Sequence, residues 1–536
     1  MQSLKTSVVI CGAGPAGLTL AHLLGLEEID VVLLDKLEAT MTEPRAISID
    51  GESMRTLQKT NLLQGFRSEL LEGVQADYVN GEGVLLFRAG SPERRPFGYA
   101  TVNAFDQPTL DRYLAQQLEQ RDSVDVRFGH TLNSFEQDDS GVHVFCTDNN
   151  GEDLEIRADY LVGCDGGRST VRSLLGIEMR GESNPLPWLV IDTKDPTIAG
   201  QPDCRFYCDP SRPGMTLRKH HGERRWEWML MPGEDRESLL DDKKIREIIA
   251  PYTDAEKVDI YRKRVYDFHA IIADKWQIGR VFLAGDAAHM TPPFAGQGLN
   301  SGFRDVSNLS WKLALVVKHQ ADPGILLTYE EERRDHAWRL IEAALNLGRQ
   351  IQPIEPEQAA KRDAFFAEIN KDPAAVKALA DKMFESISNR SVDGELIIND
   401  GADAPAGKFL IQPEVVAAGR KVLLDECLGG GFSIVGYDCN PAEVLSEQEI
   451  ARWRALGARL VHIFSNASVS EAPVSNALDG YTADVLDESL ELGNWLGGQK
   501  PVIMLVRPDK FCMASAQPED ADAVLALAHT RLFGEK

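Results

Sequence analysis

Gly12-Ala13-Gly14-Pro15-Ala16-Gly17 follows the apolar run Val8 to Cys11 and leads into the apolar stretch Leu18 to Leu24. A buried strand, a glycine turn and a helix in that order make the dinucleotide-binding fingerprint. Gly12 permits the tight turn, Gly14 lets bare backbone approach a pyrophosphate, and Gly17 lets the helix pack closely on the strand. Pro15 and Ala16 open the helix, whose first N–H groups are unpaired and face the phosphates. A second apolar run, Val31 to Leu34, ends in Asp35 and Lys36. An acid at that strand end accepts a hydrogen bond from an adenosine ribose hydroxyl.

Two further glycine-rich segments lie far along the chain. Val162-Gly163-Cys164-Asp165-Gly166-Gly167-Arg168-Ser169 reads as a strand ending in an acidic turn. The apolar strand Val281 to Ala284 runs into Gly285-Asp286-Ala287-Ala288-His289, then Pro292-Pro293-Phe294-Ala295-Gly296-Gln297-Gly298-Leu299-Asn300. Asp286 is placed to accept from the ribityl chain of a flavin. The segment carrying Pro293, Gly296, Gly298, Leu299 and Asn300 brings backbone to the ring and starts a helix. The N–H groups and dipole of that helix can stabilise negative charge on a reduced flavin. The three segments together describe one FAD site.

At 536 residues the chain is too long for one ordinary core, so two or three domains are expected. A net charge of −26 argues against nucleic acid or an anionic membrane as partner. The eight cysteines are scattered without C-x-x-C spacing and read as reduced thiols, with no metal site expected. No basic segment followed by an apolar core opens the chain, and no apolar run has the length of a membrane span, so a cytoplasmic location is expected.

Helices are expected over Glu52 to Gln64, Pro108 to Leu118, Ser301 to Lys318 and Tyr329 to Gly348. Val124 to Phe128, Val142 to Cys146 and Tyr160 to Val162 read as strands that rejoin the nucleotide-binding region. Trp188 to Arg264 reads as a run of strands, an inserted sheet. Asp393 to Lys408 reads as a linker to a smaller domain of alternating strands and helices. There, Ser446 and Glu449 have capping-box spacing, Leu445 and Ile450 that of a hydrophobic staple, and Gly457 sits where a C-cap belongs.

The three flavin segments, in this order, resemble the single-component FAD-dependent aromatic hydroxylases. The likeness extends over nearly the whole chain, through Pro44-Arg45-Ala46-Ile47-Ser48-Ile49-Asp50, Asn308 to Leu313, Tyr329 with Glu332-Arg333-Arg334, Phe409 to Pro413, Arg452 to Gly457 and Arg507-Pro508-Asp509. The resemblance implies an α/β, multi-domain fold. A Rossmann-like FAD domain spans 1–187 and 276–395, an inserted β-sheet substrate domain spans 188–275 with part of 77–100 joining it, and a thioredoxin-like domain spans 408–536. It implies that NADH or NADPH reduces FAD, that O2 forms a flavin C4a-hydroperoxide, and that one oxygen passes to a phenol, giving a catechol. The expected substrate is a small aromatic, a 3-hydroxyphenyl alkanoic acid such as 3-(3-hydroxyphenyl)propionate. Arg45, Gln107 and Arg112 match positions that contact FAD in the group. Asp35 stands where many members have Glu. The last domain lacks the two-cysteine site of thioredoxins, so its expected role is packing or contacts in a homodimer.

Asp50 is the expected acid–base residue, matching an Asp beside the substrate hydroxyl in phenol-hydroxylating relatives. A phenol with a pKa of about 10 is ionised to roughly one part in a thousand at neutral pH, so a base is needed to make the ring electron-rich. Asp50 also stands where it would N-cap the helix beginning near Glu52, and the two roles are compatible. His289 is expected to be structural. Trp226, Trp228, Tyr266, His269 and Pro292 are expected to line the substrate pocket, and Arg205, Arg218 or Lys219 to meet a substrate carboxylate. Trp226-Glu227-Trp228 has a partial likeness to the tryptophan motif of flavin halogenases, but the proline falls one residue late, at Pro232. Three rivals stay open: a hydroxylase of another phenolic or polyketide aromatic, a flavoprotein oxidase or reductase without oxygen insertion, and a non-catalytic flavin-binding scaffold.

Overall fold

The computed structural model describes the chain except residues 1, 44, 184–185, 196–201, 389–390, 399–403, 466–481, 499–500 and 535–536. Pro44 and the middle of the expected linker therefore lie outside the described residues.

The apolar runs around the first fingerprint form the centre of a six-stranded sheet. Its order is Gln277–Ile278, Val281–Leu283, Tyr160–Gly163, Val8–Cys11, Val31–Asp35 and Val124–Phe128. All but the first are parallel. The helix Pro15–Leu26 covers one face and a separate four-stranded sheet packs toward the other, which is why Val8, Val9, Ile10, Leu161, Val162, Phe282 and Leu283 are fully buried. From the central strand Val8–Cys11 the chain steps first to Val31–Asp35 on one side and later to Tyr160–Gly163 on the other. The crevice beyond the C-terminal ends of those strands is the switch point where this architecture binds ligands.

Val142 to Cys146 packs into the same core as this sheet without being one of its strands. Gly141–Asp148 pairs with His130–Asp138 and Asp153–Ala158, beside Gln2–Lys5, in a separate four-stranded sheet. The reason is local: tight turns at Asp139-Ser140 and Asn149-Asn150-Gly151 fold these strands back on one another.

The inserted sheet has seven strands in the order Asp259–Tyr266, Trp188–Lys194, Glu223–Met229, Gly214–Arg218, Cys204–Cys208, Ala76–Asn80 and Leu85–Ala89. The last two pair antiparallel as a hairpin far earlier in the chain and enlarge the sheet at its edge. The stretch Trp188 to Arg264 is not all strand: Asp242–Ile249 is a helix, N-capped by Asp241, with Ile245, Ile248 and Ile249 buried. That apolar stripe packs on one face of the sheet, against Leu189, Ile191, Trp226 and Trp228. The other face looks across a cavity at the FAD domain.

Gly298–His319 and Thr328–Ile351 are long, largely buried helices behind the flavin segments. The helix Pro373–Ser388 follows and supplies Ala380, Met383, Phe384 and Ile387 to the far wall of the cavity.

The last domain is a second seven-stranded sheet, Arg420–Leu423, Glu414–Ala417, Thr482–Asp487, Arg459–Ser465, Ser433–Tyr437, Val502–Val506 and Cys512–Ala516. In its helix Glu447–Arg454 the capping box is only half formed. Ser446 Oγ accepts from Glu449 N at 3.4 Å, but Ser446 N donates to Asp522 Oδ1 at 3.0 Å, and Glu449 pairs with Arg452. The neighbouring helix offers a better-placed carboxylate than Glu449 does. Leu445 and Ile450 pack in one cluster, and Gly457 takes φ +74° after the helix.

Buried charges join this domain to the FAD domain. Arg507 is bidentate to Glu332 at 2.8 Å through both terminal nitrogens and also holds Asp509. Burial by itself would raise Glu332, but Arg507 and Lys312 outweigh it and hold the carboxyl at about 2.

Candidate active site

A cavity of about 1140 Å³ runs from the first fingerprint, past the Asp286 and Gly296 turns, to the inserted sheet. A pocket for one drug-sized ligand is typically about 300–1,000 Å³, so this space suits a dinucleotide together with a small aromatic.

The fingerprint end is shaped by glycine. Gly12 has φ +108°, and a Cβ there would lie 2.4 Å from Cys164 O. A Cβ on Gly17 would lie 1.9 Å from Gly12 O, whereas one on Gly14 would meet nothing within 4 Å. Gly12 and Gly17 are thus required by packing, and Gly14 leaves an open floor beside Pro15 and Ala16, which also line the cavity. Gly17 itself is behind the wall. Asp35 accepts Ala13 N at 2.7 Å and Leu37 N at 2.8 Å, which fixes its carboxylate at the cavity edge beside Lys36. These features fit the adenosine and pyrophosphate of FAD.

Asp165 also lines the cavity, while its carboxylate caps the short helix Thr170–Leu174 through Ser169 Oγ, Thr170 N and Val171 N. Asp286 pairs with Arg45 at 3.3 Å, both side chains partly open to the cavity. Beneath this turn, Asp305 Oδ2 accepts Gly285 N at 3.0 Å and shares a 2.7 Å bond with His289. Burial alone would raise Asp305, but His289 and Arg333 hold it below the usual carboxylate range. His289 is fully enclosed and supports the turn from behind.

Gly285, Pro293, Gly296, Gly298, Leu299 and Asn300 all line the cavity. Gly296 takes φ +62°, and a Cβ there would lie 2.4 Å from Ser48 Oγ. Asn300 Nδ2 donates to Gly296 O at 2.7 Å, so the turn is pinned before the helix begins.

Asp50 lies in the wall next to this turn. It N-caps the helix Gly51–Lys59, with Oδ1 accepting Ser53 N at 2.8 Å, and Oδ2 accepts a hydrogen bond from Arg304. Arg304 also holds Glu52 Oε2 at 2.9 Å and Gln297 Oε1 at 2.8 Å. The capping and cavity positions of Asp50 therefore coincide. Arg304 was not singled out from the sequence, because nothing in its local pattern separates it from other charges on the helix Gly298–His319.

Four expected contacts need correction. Trp226 and Trp228 point away from the cavity, into the layer beneath the helix Asp242–Ile249, where Trp228 stacks on Tyr252 at 5.0 Å. Side chains alternate along a strand, so Arg225 and Glu227 take the cavity face instead. Arg112 is exposed and bonds Thr109 Oγ1 at 3.4 Å, one position past the helix face that carries Gln107 and Asp111 to the cavity. Pro292 is buried behind Thr291 and Pro293, which line the cavity in its place. Tyr266 and His269 do line it.

Gln107 clamps the backbone before Asp50, its Oε1 accepting Arg45 N at 3.0 Å and Ala46 N at 2.8 Å. Its Nε2 donates to Asp111 Oδ2 at 3.2 Å, and burial pushes the Asp111 carboxyl up to about 8. None of Arg205, Arg218 and Lys219 lines the cavity. Lys219 is buried against Asp106, Asp192 and Glu223.

Glu227 stands in an apolar row of the sheet, opposite Val190 and Met215, with Phe206 and Tyr78 beyond. Burial pushes it up to about 7, against the pull of Arg225, whose Nη1 is 3.8 Å away. Arg225 itself is bidentate to Asp192 at 3.0 Å. The signal for Glu227 was the alternation within Trp226-Glu227-Trp228, which assigns opposite faces to its members.

Among the described residues, no helix is long and apolar enough to cross a membrane, and no group of three or more His, Cys, Asp or Glu could hold a metal ion.

Residues 5–344 match the family model described as FAD binding domain, and 407–531 match that described as HcaD C-terminal domain. The chain is 36% identical to a 3-(3-hydroxy-phenyl)propionate/3-hydroxycinnamic acid hydroxylase of Klebsiella pneumoniae (strain 342), over 97% of this chain and 93% of that one. It is 34% identical to the enzyme of the same name from Comamonas testosteroni, over 96% and 95%. In fold it is similar to the flavin-dependent monooxygenase PieE, solved with FAD and substrate, at TM-score 0.79, 20% identity and 99% coverage of both chains. It is equally similar to aklavinone-11 hydroxylase, solved with FAD and aklavinone, at TM-score 0.79, 22% identity and 99% coverage of both.

Proposed function

The chain belongs to the FAD-dependent aromatic hydroxylases, and from that premise we propose that it hydroxylates a 3-hydroxyphenyl alkanoic acid, 3-(3-hydroxyphenyl)propionate or a close analogue, to a catechol. The observation that carries this reading is the continuity of one cavity from the glycine fingerprint to an apolar sheet wall, with Asp50 between them. FAD, when bound, takes electrons from a reduced nicotinamide and activates O2 for transfer to the ring. The chain's own residues do the rest.

Gly12, Gly14, Pro15, Ala16 and Asp35 would hold the adenosine and pyrophosphate, and Arg45, Asp286 and the segment from Pro293 to Asn300 the ribityl chain and ring. The N–H groups opening the helix Gly298–His319 face the cavity and favour negative charge there. Trp188, Val190, Met215 and Phe206 form an apolar wall that orients an aromatic ring and excludes water, which keeps the activated oxygen from being lost as peroxide. Asp50 would accept the hydrogen bond of the phenolic hydroxyl. Its two oxygens are held by Ser53 N and Arg304, so the carboxylate is aimed before substrate arrives.

The test is to follow NADH and NADPH consumption by the purified protein with and without 3-(3-hydroxyphenyl)propionate, while catechol and peroxide are both measured. Substrate-stimulated consumption yielding about one catechol per reduced nicotinamide supports the reading, as expected of a shielded site. Stimulation with peroxide alone would replace this substrate with another aromatic.

A further inference from the structure

The helix that begins at Asp50 is gripped from two sides. On the flavin side, Asn300 Oδ1 accepts both Asp50 N at 3.0 Å and Ser53 Oγ at 2.7 Å, and Arg304 holds Asp50 and Glu52. On the opposite side the C-terminal domain takes hold. Arg55, which is 3% exposed, is bidentate to Asp425, with Nε–Oδ2 and Nη2–Oδ1 both 2.6 Å, and its Nη1 donates to Leu410 O at 2.6 Å. Its guanidinium lies 5.1 Å from the centre of the Phe409 ring. At the helix end, Lys59 Nζ donates to Pro508 O at 3.2 Å.

The same domain also braces the cavity wall beside Asp50. The fully buried Gln412 donates through its backbone N to Pro96 O at 2.9 Å and through Nε2 to Phe97 O at 2.7 Å. Pro96, Phe97 and Tyr99 line the cavity, and Tyr99 OH returns to the Asp50 helix at Gln58 Oε1, 3.0 Å away.

We propose that the C-terminal domain is a working part of the active site, and that Arg55, through Asp425 and Leu410 O, is a positioning residue that sets where Asp50 meets the substrate. This inference rests on the hydroxylase reading and on Asp50 as the residue that meets the phenol. Bidentate geometry fixes angle as well as distance, which a single point charge does not. The helix is only nine residues long, so a tilt at Arg55 is carried to its N-cap rather than absorbed on the way. Small misplacements of a reacting group are costly: about 1 Å can remove about a hundredfold of rate.

The experiment uses the full-length, FAD-loaded protein with 3-(3-hydroxyphenyl)propionate and compares Arg55→Lys and Asp425→Asn with Asp50→Asn and with the double variant Asp50→Asn/Arg55→Lys. Arg55→Lys and Asp425→Asn should retain flavin absorbance and substrate-free nicotinamide oxidation while catechol per nicotinamide consumed falls by about tenfold or more. If Arg55 acts through Asp50, the double variant should be no worse than Asp50→Asn alone, since the two changes remove one shared interaction. Multiplying losses in the double variant would overturn the proposal. So would unchanged coupling in Arg55→Lys and Asp425→Asn at a temperature where both are folded, even with lowered melting temperatures. Unchanged coupling in Asp50→Asn would instead sink the role of Asp50, a distinct failure.

Discussion

The side-chain oxygen of Asn300 accepts the backbone N–H of Asp50 at 3.0 Å, while its amide donates to Gly296 O at 2.7 Å. One buried amide thus ties the glycine turn at the proposed flavin ring to the carboxylate proposed to meet the phenol, across 250 residues of chain. Any shift of the turn is felt at Asp50.

Replacing Asp50 by Asn should separate folding from chemistry. Asn keeps an acceptor for Ser53 N, and Arg304 retains Glu52 and Gln297, so the helix and its surroundings persist. Catechol formation should fall by about a hundredfold, the lower range for loss of a positioned base, with peroxide rising in its place. Parallel assays of catechol and peroxide check this; undiminished catechol yield would remove Asp50 from the mechanism.

The fingerprint glycines should fail in different ways. Gly12→Ala meets Cys164 O from a φ of +108° and should destabilise the protein itself by about 2–4 kcal/mol. Gly14→Val enters open space, so the FAD-free protein should melt as before while FAD affinity drops about tenfold, or about 1.4 kcal/mol. Melting curves with flavin titration distinguish the two.

Trp188 and Trp228 stand on adjacent strands but face opposite ways. Trp188→Phe should raise KM for the phenolic substrate several-fold, and Trp228→Phe should leave KM unchanged while costing some stability. Steady-state kinetics alongside urea unfolding would reveal an error if Trp228→Phe alone moved KM.

Asp111 makes stability fall with pH. Its folded pKa is about 8, against about 3.9 in an unfolded chain. Between these values the folded protein holds one proton more than the unfolded, so this group costs about 1.4 kcal/mol per pH unit on the way up. Below the lower value its contribution is constant. Glu332 has the opposite sign: held at about 2, it contributes stability above the unfolded carboxyl range that is lost as pH falls through its folded value. Asp111→Asn should flatten the pH dependence of urea midpoints above about pH 5, and an unaltered slope would show that Asp111 is not the group responsible.

Arg507→Met should be among the most damaging single changes away from the cavity. It leaves buried Asp509 without its guanidinium partner and Glu332 with Lys312 as its remaining cation, at about 3–5 kcal/mol. Arg507→Met combined with Glu332→Leu should recover part of that loss, as seen in the urea midpoint.

Much of the nucleotide domain is legible in the sequence because its signals are local. The fingerprint glycines are needed where a Cβ would strike backbone a few residues or one strand away, and buried parallel strands appear as unbroken apolar runs. Asp35, Asp286 and the run from Pro293 to Asn300 could be placed from strand ends alone, since a parallel sheet gathers its strand ends at one edge. Asp50 could be placed because its capping role and its cavity role fall on the same residue.

The substrate wall was decided by tertiary structure. Which face of Glu223–Met229 meets the cavity depends on where the helix Asp242–Ile249 packs, and that contact puts Trp226 and Trp228 inside a separate core and leaves Glu227 in the cavity wall. Period-two alternation states that Glu227 and the tryptophans face opposite ways, but not which way is in. Arg304 and Arg55 owe their meaning to partners hundreds of residues distant, Asp50 and Asp425, and no local pattern encodes a partner brought near only by folding.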